Sequence, residues 1–267
     1  MVNTPESVPR TESPAAGFLS FEIANLQGVG TRERQEDSFS ILNAFDPEKA
    51  RQKGFGFLVC DGMGGMKDGK VASETAIQSL RAYLDQLDMN GDIHDQLSRT
   101  IYAASSDVER ILGGEGGSTL ILGLIYHEHM YFASVGDSFL YLFRDGMLYQ
   151  MNCFHTMKND IYRDIIGEDT WNLDAARNHP EASALSSFLG MTGLESIEVC
   201  HRPLPLKRGD TIMACSDGVA GTLSEAEIMQ ALSVAEISNI PAILENGIIS
   251  YRKPNQDNYT AVILRCV

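Results

Sequence analysis

The sequence predicts an α+β fold, on two observations. Short apolar runs follow one another with turns of two or three residues between them, which argues antiparallel strands. Two pairs of amphipathic helices interrupt these runs instead of alternating with single strands, which argues against a parallel α/β sheet. The first strand is expected over residues 21–29. Residues 54–60 (GFGFLVC) form a short apolar strand expected to be buried on both faces. Asp68 is placed to cap a helix over residues 70–87, where Ala76 or Ile77, Leu80, Leu84 and Leu87 share one face. A second helix follows Gly91, with Ile93, Leu97, Ile101, Ala104, Val108 and Ile111 as its stripe.

Gly116-Gly117 breaks the chain. Strands are expected over residues 118–126, 130–135 and 139–144, turning at residues 127–129, at Gly136-Asp137 and at Asp145-Gly146. The short turns predict one antiparallel meander. A strand over residues 211–215 comes next, then a helix from Ser224 with Glu227 placed for a capping box. Asn239 and Pro241 open another helix, running to about residue 251, and a last strand covers residues 259–266. Residues 152–202 read as a variable, flap-like loop-and-helix insertion near the site. They carry the only Trp (Trp171) and the cluster Asp160, Asp164, Glu168 and Asp169.

The chain has 267 residues and a formal net charge of −15. Such a surface repels phosphate backbones, so nucleic acid is not expected as a partner. An anionic substrate would need local positive charge from metal ions or a placed Arg. No apolar run reaches membrane-spanning length. Residues 1–20 read as a disordered arm without signal-peptide character, ahead of one domain over 21–267. The five cysteines (Cys60, Cys153, Cys200, Cys215, Cys266) form no CxxC, and are read as reduced and buried in a cytoplasmic protein. None is followed by Arg six positions on, so the cysteine-phosphatase loop is absent.

Acids recur at strand ends. The motifs are TRERQED (residues 31–37), CDGMGG (60–65), VGDS (135–138), CSDG (215–218) and NQDN (255–258). Carboxylates gathered at the ends of apolar strands repel one another, and a hard divalent cation is the usual remedy. Asp61 leads the set: a carboxylate after a buried strand can bridge two ions. Gly62 lets a backbone carbonyl approach the same ion, because no Cβ intervenes. A plain Asp-Gly turn is the alternative. Asp217 repeats the pattern, while Asp257 precedes a strand and Asp137 sits in a candidate hairpin turn. Oxygen-only ligands select Mg²⁺ or Mn²⁺ over Zn²⁺. Arg32, four residues before Glu36, is the candidate phosphate clamp, with Arg34 as its decoy. His127 and His129 form an HxH pair, read as a solvated turn for want of further nitrogen or sulfur ligands. Ser118-Thr119 lacks a nucleophile elbow, and the glycines after Asp61 do not form a Walker loop.

The ordered set GTRERQED (30–37), DGMGG (61–65), GKVAS (69–73), GGST (116–119), VGDS (135–138), SDG (216–218) and QDN (256–258) resembles the metal-dependent protein phosphatases of type 2C, the PPM family, in their bacterial branch. The resemblance runs from about residue 23 to the C-terminus. It implies a four-layer α-β-β-α sandwich: two antiparallel sheets flanked by helix pairs. It also implies hydrolysis of phosphoserine and phosphothreonine by water, without a covalent intermediate, using Mn²⁺ or Mg²⁺. By likeness, Asp61 bridges two core ions and Gly62 contributes its carbonyl. Asp217 and Asp257 complete the first ion's shell, and Glu36 and Asp37 serve the second. Asp137 serves a weaker third ion, and Arg32 takes the phosphate.

The sequence departs from the family pattern at several positions. Met63 stands where eukaryotic relatives resemble one another in a His, the proposed general acid, as it does in bacterial relatives. Gln35 replaces an Asn, Phe139 replaces an Arg, and MNCFHT (151–156) only faintly resembles the Asp-His-Ser segment. The expected partners are a phosphorylated protein and a cognate Ser/Thr kinase, with the phosphatase a monomer and no membrane. Two alternatives stay open: a pseudophosphatase used as a binding or regulatory module, and a phosphoesterase acting on a small metabolite.

Overall fold

The computed structural model describes residues 19–63, 68–167 and 173–267. Strands β1 (Phe21–Gly28) and β2 (Ser38–Leu42) precede a short helix, α1 (Pro47–Lys53). Strands β3 (Phe55–Cys60) and β4 (Gly62–Met63) lead into the long helices α2 (Gly69–Leu84) and α3 (Ile93–Leu112). Next come β5 (Gly117–Ser118), β6 (Leu120–Tyr126), β7 (His129–Val135), β8 (Phe139–Arg144) and β9 (Met147–Gln150). Helices α4 (Met157–Gly167) and α5 (Leu173–Arg177) and strands β10 (Glu198–Val199) and β11 (Leu204–Pro205) follow. Strand β12 (Thr211–Cys215), helices α6 (Asp217–Ala220), α7 (Glu225–Leu232) and α8 (Ile240–Ser250), and strand β13 (Tyr259–Cys266) come last.

Antiparallel pairing builds two main sheets, ordered β1-β13-β12-β8-β9 and β10-β7-β6-β3-β2. Three apolar clusters separate four layers. Successive strand residues point to opposite faces, so β3 serves two clusters at once. Phe57 and Val59 face the other sheet, meeting Leu140, Leu142, Ile212, Val262 and Leu264. Leu58 and Cys60 face outward, under Leu80, Leu97 and Ile101 of α2 and α3. Strand β12 repeats this: Ile212 and Ala214 point inward, while Met213 and Cys215 pack under Ile228, Leu244 and Ile248 of α7 and α8. Each fully buried Val, Leu, Ile, Phe or Met among them contributes about 1.5–3 kcal/mol relative to exposure. The expected sandwich is therefore the observed one, and β3 is buried on both faces.

Several details differ from expectation. The meander is split. Strands β6 and β7 pair with each other, as do β8 and β9, but β7 and β8 lie in different sheets. The turn at Gly136-Asp137 is thus a crossing between layers, not a hairpin. Strand β2 and helix α1 had no counterpart in the sequence reading. Helix α2 ends at Leu84, and the Asp68 side chain makes no capping hydrogen bond, although the residue stands at the cap position. In α3 the stripe ends on buried Leu112; Ile111 is 52% exposed. The helix turns by 3.6 residues, so a step of four from Val108 stays on the apolar face. The Ser224–Glu227 capping box is present. All five cysteines are free, but Cys153 is exposed. Residues 1–18 of the expected arm lie outside the described residues, whereas Leu19 and Ser20 bond to Glu128 and Val267.

Candidate active site

The acids converge because the strands that carry them end on one edge of the sandwich. In the second sheet, Ser38 of β2 is paired with Cys60 of β3. That register sets Asp37, just before β2, beside Asp61, just after β3. In the first sheet, Cys215 of β12 pairs with Ala261 of β13, which brings Asp217 to Asp257 in the same way. Asp137 sits in the crossing from β7 to β8. A cleft of about 690 Å³ is lined by Arg32, Glu36, Asp61, Asp137, Asp217 and Asp257, among others. Asp37 lies behind its wall, 1% exposed.

Two glycines allow this approach. A Cβ on Gly62 would lie 2.0 Å from the Gly69 carbonyl oxygen and 2.6 Å from that of Glu36. A Cβ on Gly218 would lie 1.8 Å from the Asn258 carbonyl oxygen. Each Asp-Gly step is pressed against the acidic segment before the neighbouring strand, and any side chain would force the two apart.

Three polar residues to which the sequence assigns no part in holding the acids, Thr119 among them, fasten the acids in place. Thr119 clamps Asp61: its hydroxyl accepts from the Asp61 N–H at 3.0 Å, and its own N–H donates to the Asp61 carbonyl at 2.9 Å. The Ser216 hydroxyl donates to Asp37 Oδ2 at 2.8 Å and accepts from the Thr260 N–H, joining the two sheets at the site. Asn258 ties down the loop of Arg32 and Glu36. Its Oδ1 accepts from the Glu36 N–H at 2.7 Å, and its Nδ2 donates to the Val29 and Arg34 carbonyls. Thr119 and Ser216 belong to quoted motifs, and Asn258 follows Asp257, so the neighbourhood was marked although the bonding was not. Gln35, in place of an Asn, donates to the Gly28 carbonyl and accepts from the Asp37 N–H.

Burial, and after it the charge of neighbouring acids, raises the pKa values of Asp37, Asp61, Asp137 and Asp217. Burial pushes Asp61 well above 3.8, and the charges of Asp37, Asp217, Asp257 and Asp137 add to the effect. Asp37 is raised to about 6, by burial and then by Asp217, against the lowering influence of its hydrogen bonds. Asp137 is also raised to about 6, by burial first and Asp217 second. Asp217 is raised by burial first and by Asp257 second, although the residue keeps an exposed face on the cleft. Asp37 Oδ1 is buried without a hydrogen-bond donor. The Asp61 carboxyl adjoins both Asp37 and Asp217, and can bond to either only if a proton is shared. An orphaned buried oxygen among mutually repelling carboxylates fits hard divalent cations. As their side chains stand, no three His, Cys, Asp or Glu among the described residues enclose a common ion position. Arg32 Nη2 donates to Asp257 Oδ2 at 2.6 Å.

The remaining candidates sort as follows. Arg32 is on the cleft, 57% exposed, and engaged with Asp257. His127 and His129 bound the β6–β7 turn, where His127 and Glu128 take positive φ. From the insertion, Ser183, Leu185 and Phe188 line the cleft. Asp160 and Asp164 lie on α4 and do not line it, and Asp160 pairs with Arg163. Glu168, Asp169 and Trp171, with Gly64 and Gly65, lie outside the described residues.

This geometry has relatives. The sequence profile described as protein phosphatase 2C matches residues 23–161. The serine/threonine phosphatase Stp of Listeria innocua is 31% identical over 245 residues, spanning 87% of this chain and 90% of that protein. PstP of Mycobacterium tuberculosis, a serine/threonine protein phosphatase, is 31% identical over 210 residues, spanning 77% of this chain and 39% of that longer protein. Among solved structures, the catalytic domain of PstP in complex with two manganese ions superimposes with a TM-score of 0.70 at 26% identity, covering 94% of this chain and 100% of that one. Stp1 of Staphylococcus aureus shares the fold, with a TM-score of 0.74 at 18% identity over 97% of this chain and 99% of that one. With its strand-end acids, its sandwich and these likenesses in agreement, the chain belongs to the protein phosphatase 2C family.

Proposed function

We infer that the chain is a serine/threonine protein phosphatase that depends on two Mn²⁺ or Mg²⁺ ions. The observation that carries this reading is the gathering of Asp37, Asp61, Asp137, Asp217 and Asp257 at one edge of two sheets, with the pKa values of the first four raised and one buried oxygen left unpaired. When bound, two such ions supply the positive charge that neutralises a phosphoryl group and acidify the attacking water. Asp61 would be shared between the ions, with the Gly62 carbonyl beside it. Asp217 and Asp257 would complete one shell, and Glu36 and Asp37 would serve the other. Asp137 would hold a weaker third ion.

The chain's own residues do the rest. Thr119 fixes the Asp61 backbone, and Ser216 fixes Asp37 across the sheet boundary. Arg32 exchanges Asp257 for the substrate phosphate, offering its planar fork to two oxygens. That exchange is cheap because the pair is half-exposed and water screens it. Met63 carries no transferable proton, so protonation of the leaving alkoxide falls to water or to a cleft carboxyl. A regulatory module would be marked by loss of a metal-binding acid, and Asp61, Asp217 and Asp257 are all present. The substrates are phosphorylated proteins. A cognate Ser/Thr kinase, a monomeric state and a cytoplasmic location complete the reading, and the five free cysteines favour the last of these.

Hydrolysis of a phosphothreonine peptide and of p-nitrophenyl phosphate, with Mn²⁺ and with EDTA, tests it in the wild type and in Asp61→Asn. The expected result is turnover that needs Mn²⁺, favours the peptide, and disappears in the variant. Full activity in EDTA or in Asp61→Asn would refute the metal assignment, and preference for small esters would refute the protein substrate.

A further inference from the structure

We propose that Leu185 and Phe188 form an apolar subsite that receives a hydrophobic side chain next to the phosphorylated residue of a protein substrate. The inference rests on the phosphatase reading and narrows its substrate class. Both side chains are half-buried and line the same cleft as the acids. Metal ions and a phosphoryl group have no use for apolar surface. A half-covered aromatic and a leucine beside a charged centre instead provide what a peptide side chain needs to leave water.

Backbone bonds fix both residues relative to the acids. Leu189 and Ser118 exchange both of their backbone hydrogen bonds, at 3.0 and 2.8 Å. Ser118 is in turn paired with Gly62, so Phe188 stands one residue from a ladder that reaches the Asp61-Gly62 step. The Phe188 ring lies against Gly117, where a Cβ would come within 2.3 Å of its Cδ2. Leu185 forms a bridge with Thr156. Its neighbour Ser186 donates to the His155 carbonyl, and the His155 N–H donates to the carbonyl of Gly136, beside Asp137. The two apolar groups are thus anchored to the two acid-bearing turns, which fixes their place relative to Asp61 and Asp137. A preformed wall of this kind selects among substrates, because its position is settled before binding.

The test uses two phosphothreonine peptides, identical except that both neighbours of the phosphoresidue are Leu in one and Gly in the other. The readout is the ratio of their kcat/KM values with Mn²⁺, in wild type, Phe188→Ala, Leu185→Ala and Phe188→Met. A partly open apolar contact predicts a wild-type ratio of roughly 5–10 in favour of Leu. Either alanine variant should bring the ratio towards 1, and Phe188→Met should restore most of it. Loss of overall activity through misfolding does not mimic this, because both peptides are read on the same protein. A wild-type ratio near 1, or an unchanged ratio in both alanine variants, would overturn the subsite and leave the phosphatase standing. Absence of turnover on both peptides in the wild type would overturn the two together.

Discussion

The strand pairs β2–β3 and β12–β13 reach the cleft from opposite sheets with the same backbone device. In each, an acid precedes one strand and an Asp-Gly follows its antiparallel neighbour. Their surroundings differ. In the first pair, Asp37 is buried and leaves one oxygen unpaired, while Asp61 meets the charges of four other aspartates. In the second pair, Asp217 is exposed and Asp257 meets Arg32 at the rim. In the first half Asp37 is dry and demands positive charge; the second half is wetter and can change partners. On the proposed reading both halves would hold the ions, the first the more firmly, while the second would also exchange Asp257 for substrate at Arg32.

Substitutions can break that contrast. Asp61→Asn should lower kcat by about 10³-fold or more, the scale of losing a principal electrostatic stabiliser. Added Mn²⁺ should not restore it. Asp217→Asn, on the wet side, should cost about 10- to 100-fold and recover in part as Mn²⁺ is raised, which a metal titration of activity would read. Equal, unrescuable losses in both would erase the proposed asymmetry. Arg32→Ala should raise KM roughly 10-fold with a smaller change in kcat, because it removes a contact made before and during reaction. An unchanged KM would count against the clamp.

Smaller effects sharpen the picture. Ser216→Ala removes the donor to Asp37 that joins the halves, and should weaken Mn²⁺ binding about 10-fold in calorimetry. The metal-free protein should also lose stability as pH rises from about 4 to above 6. Asp37 and Asp137 hold protons up to about 6 when folded, against 3.8 ordinarily. The folded state therefore binds more protons in that window, and deprotonation favours unfolding. Thermal melts in EDTA across this range check the slope; Mn²⁺ should flatten it, and a rise in stability through the window would contradict the pKa directions.

The acids were legible because Asp-Gly after an apolar strand is a local pattern, and two of these, with three further acids at strand ends in one order, leave few alternatives. Their fastenings were not. Thr119 meets Asp61, Ser216 meets Asp37, and Asn258 meets Glu36 across long stretches of sequence, and nothing local marks those bonds. Strand β2 escaped notice for a related reason. Its Ser38 and Ser40 are buried, bonded to Ser73 and Arg81 of α2, while Phe39 and Ile41 pack between the sheets. Polar residues on a buried face blur the alternation that would have announced the strand. The Gly136-Asp137 turn has hairpin chemistry, yet it crosses between layers, a choice made by the packing of both sheets. The insertion showed no regular period, so Leu185 and Phe188 could be placed at the cleft only by the structure.

The most direct test is the anomalous scattering of crystals grown with Mn²⁺. The account predicts two ions between the strand pairs, both touching Asp61, with Asp217 and Asp257 on one side and Glu36 and Asp37 on the other. Ions held by one strand pair alone, or none in the cleft at saturating Mn²⁺, would contradict it.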